Sequence, residues 1–435
     1  MKYPKVPKLG WLANEIVLYT QLKHEYGSKN IPPVLKKAES ALKTAIKALE
    51  KLPVDKKLAL KEPNDLGAIQ ALRPKGPRQL WCCFKEKEYP EKLEGALLGR
   101  LAGCTLGAPV EFWEIEKMEN LAKENKEKFP PRDYWTYVPN PYHKRYKISP
   151  IESYTRYKMN GVPVDDDITY TQLGLLILED YGPDFTVEDV GKAWRKYLPY
   201  ACTAEDIALK NLKKCIPAAK VGEINNPYCE WIGADIRSDP WGYLAPAWLE
   251  KAAAMAYTDA YISHRRQGIY GEMYFSAAIA AAFAVKDPVT ALELGLTEIP
   301  KDCETAKAVK WALDVSPKIK NYKQARAAVE KHFEGMSGVH TINNACLTIW
   351  GITIGKTDFT RVIGETVAMG LDNDCTAATA GSIVGAVVGK RGIPKHWYKR
   401  FNNVSYSYLN KNKKFSISDM VDRFTKQAKN VYLKG

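Results

Sequence analysis

The sequence predicts an all-α fold, and three observations carry that prediction. Apolar residues recur at three- and four-residue spacing in one segment after another from Leu93 onward. Short loops marked by glycine and proline separate these segments. No stretch keeps the two-residue alternation of a half-buried strand. In chain order, segments 11–26 and 33–51 carry apolar stripes with lysine-rich outer faces. Pro53, Pro63, Pro74 and Pro77 punctuate 52–80, which reads as extended or loop-like. Residues 1–92 therefore read as a lysine-rich N-terminal helical appendage, and 93–435 as a compact multi-helix domain. Segment 93–107 places Gly95, Gly99, Gly103 and Gly107 one turn apart, a face that another helix can approach closely. Segments 171–181, 187–197, 203–213, 248–262 and 271–285 follow. Then come 304–314, 323–333, 342–354, 358–369 and 374–389, the last rich in small residues (Ala377, Ala378, Ala380, Gly381, Gly385, Ala386). Segment 416–432 closes the series.

Composition narrows the function classes. A hydrophobic fraction of 46% over 435 residues is that of a soluble globular protein. The longest apolar run, around Ala277–Val285, has the length of a buried helix rather than a membrane span. Met1-Lys2-Tyr3-Pro4-Lys5 lacks the apolar core of a signal peptide, so a cytoplasmic location is expected. The nine cysteines are scattered without a CxxC pair, which argues for reduced thiols and against zinc. The net charge of +14 comes largely from lysines before residue 90 and from 142–160, including Tyr142-His143-Lys144-Arg145-Tyr146-Lys147. No nucleic-acid motif accompanies it, and solvated helix faces account for it better than a nucleic-acid partner. No membrane partner is expected.

Three blocks carry candidate chemistry. In the first, Gly99 to Glu111, a tight helix runs into a proline-terminated turn, and Glu111 follows it. Alone, Glu111 reads as a surface carboxylate. In the second, Asp165, Asp166 and Asp167 open a helical segment. One aspartate suffices to cap a helix, and three leave metal binding as an equal alternative. In the third, Asp372-Asn373-Asp374 precedes the small-residue helix, with Gly370 as a stop for the helix before it. Like charges massed in one place raise one another's pKa unless a cation joins them, and all-oxygen ligands suit a hard ion such as Mg²⁺.

Together these blocks resemble the ADP-ribosylglycohydrolase family, whose members include ADP-ribosyl-crystallin. The resemblance rests on Gly103-x-x-x-Gly107-Ala108-Pro109-Val110-Glu111, on Asp165-Asp166-Asp167 and on Asp372-x-Asp374, and spans about 93–400. It implies an ADP-ribosylglycohydrolase-like all-α domain with one or two Mg²⁺ ions in a cleft. It also implies hydrolysis of a ribosyl glycosidic bond in a ribosylated small molecule or protein, ADP-ribose-linked compounds first. By position it implies Asp165, Asp166, Asp167, Asp372 and Asp374 as metal ligands, and Glu111, Asp166 and Asp374 as the catalytic carboxylates. The chain departs from the family pattern at Cys104, Ile168 and Cys375, where the family has Asp, Thr and Ser or Thr. A small nucleoside substrate, or a ligand-binding relative without catalysis, stands as the alternative.

The resemblance extends to secondary features. Gly233 to Arg237 matches a substrate loop, in which backbone N–H groups and Arg237 would receive a diphosphate. An ordinary loop with a structural arginine explains it equally. Ser263-His264 matches a step near the ribose, and a structural histidine is an equal reading. The polar runs around Tyr270 and at His340 to Asn344 read as cleft walls, with Asn344 facing substrate, or as capping networks for the helices they precede. Tyr270 and Trp241 are candidates to stack on a base, with burial in the core as the ordinary alternative for aromatics.

Overall fold

The computed structural model describes Tyr3 and residues 6–434. The chain divides into two compact units, Met1–Leu60 and Lys61–Gly435. The first holds the helices Leu9–Glu25 and Ile31–Glu50, with Lys56–Lys61 at the junction. Pro32 and Pro33 lie in the first turn of the second helix, where a missing N–H costs nothing.

The larger unit is all-α: among the described residues its only strands form two small antiparallel pairs. Its centre is the helix Tyr89–Gly107 packed on the helix Asn373–Val388. The glycine spacing makes this crossing possible. A Cβ on Gly103 would lie 2.0 Å from the Ala377 carbonyl oxygen, and one on Gly99 would lie 2.1 Å from that of Gly381. Only glycine lets the two backbones meet this closely. The helices Ser238–Leu244, Leu249–Ala260, Gln267–Ala282, Thr341–Gly355 and Phe359–Ala368 surround the pair.

Three local expectations change. Stretch 52–80 contains the helices Lys56–Lys61 and Leu66–Leu72. The second is started by Asp65, whose side chain accepts the Ala68 N–H, so the prolines bound a helix instead of preventing one. Around Arg145 there is no helix face but a tight hairpin pairing Lys144–Arg145 with Ser149–Pro150. Finally, the division between units falls at Leu60, whereas the sequence suggested 92. Residues 61–84 run along the rest of the larger unit as a belt. Glu62 receives Arg266 and the Glu304 N–H, and Pro63 O accepts the Tyr270 hydroxyl at 2.5 Å. Arg73 and Arg78 pair with the buried Glu298 at 2.7 and 3.0 Å, and Ile69 is fully buried.

Candidate metal centre and active site

Two helix N-termini and one helix C-terminus bring the acidic residues together. Asp165 caps the helix Asp166–Tyr181, its side chain accepting the Asp167 N–H, and Asp166 and Asp167 occupy the first turn. Asp372 precedes the helix Asn373–Val388, with Asp374 in its first turn. Free N–H groups and the helix dipole favour carboxylates at both ends. The glycine crossing aligns them with Glu111, which follows the short helical turn Ala108–Val110. A Cβ on Gly107 would lie 2.6 Å from the Asp374 backbone, so the absence of a side chain there sets where Asp374 can stand.

The electrostatics follow from this crowding. Burial pushes Asp165 up to about 7, against the pull of Arg145, with Asp166 adding to the rise. Burial, joined by neighbouring carboxylates, lifts Asp167, Asp372 and Asp374 well above the usual range. Two sets of donor atoms lie within 4.8 Å of one another: Cys104, Asp165, Asp167 and Asp374, and Glu111, Asp372 and Asp374. The buried Asp374 Oδ1 has no hydrogen-bond partner among the described residues. Carboxylates crowded at this spacing, one with an unused buried oxygen, fit a hard divalent cation. Two arginines already serve the cluster. Arg100, fully buried, donates to Asp239 at 2.5 Å and to the Asp167 and Ile236 carbonyls. Arg145 donates to Glu111 at 2.6 Å, Asp165 at 2.8 Å and Asp374 at 2.9 Å.

A cavity of about 470 Å³ opens over these groups, lined by Glu111, Asp166, Asp167, Asp372 and Asp374 on one side. Trp231, Phe112, Tyr146 and Tyr170 supply aromatic wall. Four of the five expected metal ligands therefore line one cavity together with Glu111. The fifth, Asp165, lies beneath, joined to the others through Arg145.

Residues 85–432 match the ADP-ribosylglycohydrolase family. The chain belongs to that family. A solved structure described as "ADP-ribosylglycohydrolase-related protein complex" is similar in fold, with a TM-score of 0.53 and 17% identity over 80% of this chain and 99% of that one. No curated protein sequence matches the chain.

Within the ADP-ribosylglycohydrolase fold, the positions where this chain departs from the family pattern are apolar or neutral. Ile168 and Cys375 are buried, and burial pushes the Cys375 thiol well up. The neighbouring Thr169 and Thr376 hydroxyls are buried without hydrogen-bond partners among the described residues.

Of the expected substrate contacts, Gly233 lines the cavity. Arg237, His264, Tyr270 and Asn344 do not. Arg237 is buried among three carboxylates, at 2.7 Å from Asp259, 2.9 Å from Glu205 and 3.3 Å from Glu272, which leaves no free edge for a diphosphate. His264 bonds Ser263 at 2.8 Å, and burial holds its pKa well below normal, so it is neutral. Tyr270 is held by Pro63, and Trp241 donates to Glu272 while stacking on Phe185. The Asn344 amide donates to the Gly338 and His340 carbonyls and secures a helix start. Arg237, Tyr270 and Trp241 are held by partners far away in the chain, His264 and Asn344 by near neighbours.

Sequence reasoning missed Arg145, Glu205 and Trp231. Glu205 lines the cavity and packs where a Gly233 side chain would stand: a Cβ there would lie 2.3 Å from its carboxylate. The available signal for Arg145 was the acidic excess itself, which needs a counter-charge.

Proposed function

We propose that this cavity is the active site of a Mg²⁺-dependent hydrolase that cleaves a ribosyl glycosidic bond, with ADP-ribose-linked compounds as the substrate class. One observation supports the reading above all. Carboxylates from three segments spread over more than 260 residues line a single cavity, and the buried Asp374 Oδ1 is left without a partner. Glu111, Asp372 and Asp374 would hold the ion. Bound there, a divalent cation supplies Lewis acidity toward ribose hydroxyls and an acidified water.

The chain's own groups then have distinct tasks. Tyr146 donates its hydroxyl to Asp166 Oδ1 at 2.6 Å, fixing that carboxylate at the cavity wall. The second oxygen of Asp166 is the base that takes the proton of the attacking water as positive charge grows at the anomeric carbon. The carboxylates around it stabilise that charge. Trp231, in edge contact with Tyr228 at 4.7 Å, offers an aromatic surface for a flat base. Gly233 lines the cavity beside Glu205, where any side chain would meet that carboxylate.

Calorimetric titration of ADP-ribose with and without Mg²⁺ tests this, followed by a panel of ADP-ribosylated peptides and simple nucleosides. Binding that needs Mg²⁺, with release of ADP-ribose from one member of the panel, is expected. No binding in either condition would end the ADP-ribose reading.

A further inference from the structure

The guanidinium of Arg145 lies inside the acidic centre. Its Nη1 donates to Glu111 Oε2 at 2.6 Å and to the Ala108 carbonyl at 2.8 Å. Its Nη2 donates to Asp165 Oδ2 at 2.8 Å and Asp374 Oδ2 at 2.9 Å. One cation thus joins the three acidic segments.

The backbone that delivers it is unusual. The Ile148 N–H bonds to the Arg145 carbonyl at 3.0 Å, closing a two-residue turn over Tyr146 and Lys147. Both have positive φ, 51° and 59°, in a turn normally made by Asn-Gly. Bulky residues so placed are strained. The turn is anchored where it meets the site: Tyr146 bonds Asp166, and the Tyr200 hydroxyl bonds the Tyr146 carbonyl at 3.1 Å. A strained hairpin tied down on both sides sets the position of Arg145 firmly.

The two donor sets differ in what the guanidinium leaves them. In the set of Cys104, Asp165, Asp167 and Asp374, it takes Asp165 Oδ2 and Asp374 Oδ2. The remaining donors include a thiol, which serves Mg²⁺ poorly. In the set of Glu111, Asp372 and Asp374, it takes one oxygen of Glu111 but leaves Asp372 and Asp374 Oδ1.

We propose that Arg145 is a tethered cation filling one of two cation positions in this centre, so that the chain binds a single divalent ion, at Glu111, Asp372 and Asp374. The guanidinium occupies the position beside Asp165. This inference rests on the metal reading of the centre given above. It assigns the ion count and the residue that sets it. A permanent guanidinium also never dissociates, so its share of the charge compensation is independent of the metal supply.

The test is a count of Mn²⁺ ions bound per chain, by electron paramagnetic resonance of free Mn²⁺ and by calorimetry. It uses the full chain, Arg145→Gln and Arg145→Lys, with folding checked by circular dichroism. One ion is expected on the wild-type chain and on Arg145→Lys, and two on Arg145→Gln. Two ions on the wild-type chain would overturn the inference without any variant, and leave the metal centre standing. A folded Arg145→Gln that still binds one ion would overturn it as well. No ion on any of the three would remove the metal reading itself, and the inference with it.

Discussion

Replacing Gly103 by alanine tests how the central crossing positions the site. A Cβ at Gly103 would lie 2.0 Å from the Ala377 carbonyl oxygen and 2.8 Å from the Ala378 nitrogen. An ordinary carbon contact begins at 3.4 Å, so the backbones must part by about 1.4 Å. Neither obstacle is a side chain that can turn away. The neighbouring contacts of Gly99 with Gly381 and of Gly95 with Gly385, 2.1 and 2.4 Å for a Cβ, are nearly as close and resist the shift. Overpacking of this kind costs about 3 kcal/mol or more, and alanine returns about 1 kcal/mol of helix propensity. A net loss of at least about 2 kcal/mol is expected in urea unfolding of Gly103→Ala. The control is Gly67→Ala, where the nearest atom is the Asp65 side chain at 3.3 Å, and where little change or a slight gain is expected. If Gly103→Ala matches the wild type or gains stability, helix propensity governs the position and the close-approach argument fails.

Three further outcomes are expected. Asp374→Asn should lose the thermal shift that Mg²⁺ gives the wild-type protein and at least about 100-fold in turnover, and an undiminished shift would place the ion elsewhere. Burial lifts Glu205 from 4.5 to about 7, with Arg237 opposing the rise. Its neutral form therefore favours folding: the contribution is full below 4.5, falls away as pH climbs through 7, and amounts to about 3 kcal/mol. Glu205→Gln should flatten that part of the stability–pH curve, and an unchanged slope would assign the titration to another group. Removing residues 1–84 should cost the larger unit about 3–5 kcal/mol relative to removing residues 1–60, by stranding the buried Glu298 without Arg73 and Arg78. Equal stability of the two shortened chains would contradict the role given to the belt.

The acidic centre was legible in the sequence because its parts are local. A helix N-terminus recruits aspartates within a few residues, and a glycine every fourth position announces a close neighbour. The helices were legible through their apolar period, and the family assignment followed from motifs short enough to read in a line. What escaped reading depends on contacts across the chain. Arg145 sits in a lysine-rich stretch that resembles solvated surface, and only the hairpin pairing turns it inward while Lys144 and Lys147 stay exposed. Arg237 and His264 stand in polar runs that suggest a ligand. The Arg237 partners Glu205, Asp259 and Glu272 come from three other segments, and no local pattern reveals that its guanidinium is already committed, while His264 is buried against the adjacent Ser263. Tyr270 and Trp241 followed the ordinary fate of large aromatics, burial with one polar atom satisfied.

The belt of residues 61–84 lies upstream of the family match, which begins at 85. Yet it holds both counter-charges of Glu298 and one of the two carboxylates that pair with Arg266, residues that lie well inside that match. Common ancestry and independent folding thus have different borders in this chain. A domain cut where the recognisable kinship starts would inherit every residue of the candidate centre and still carry buried charges whose partners had been left behind.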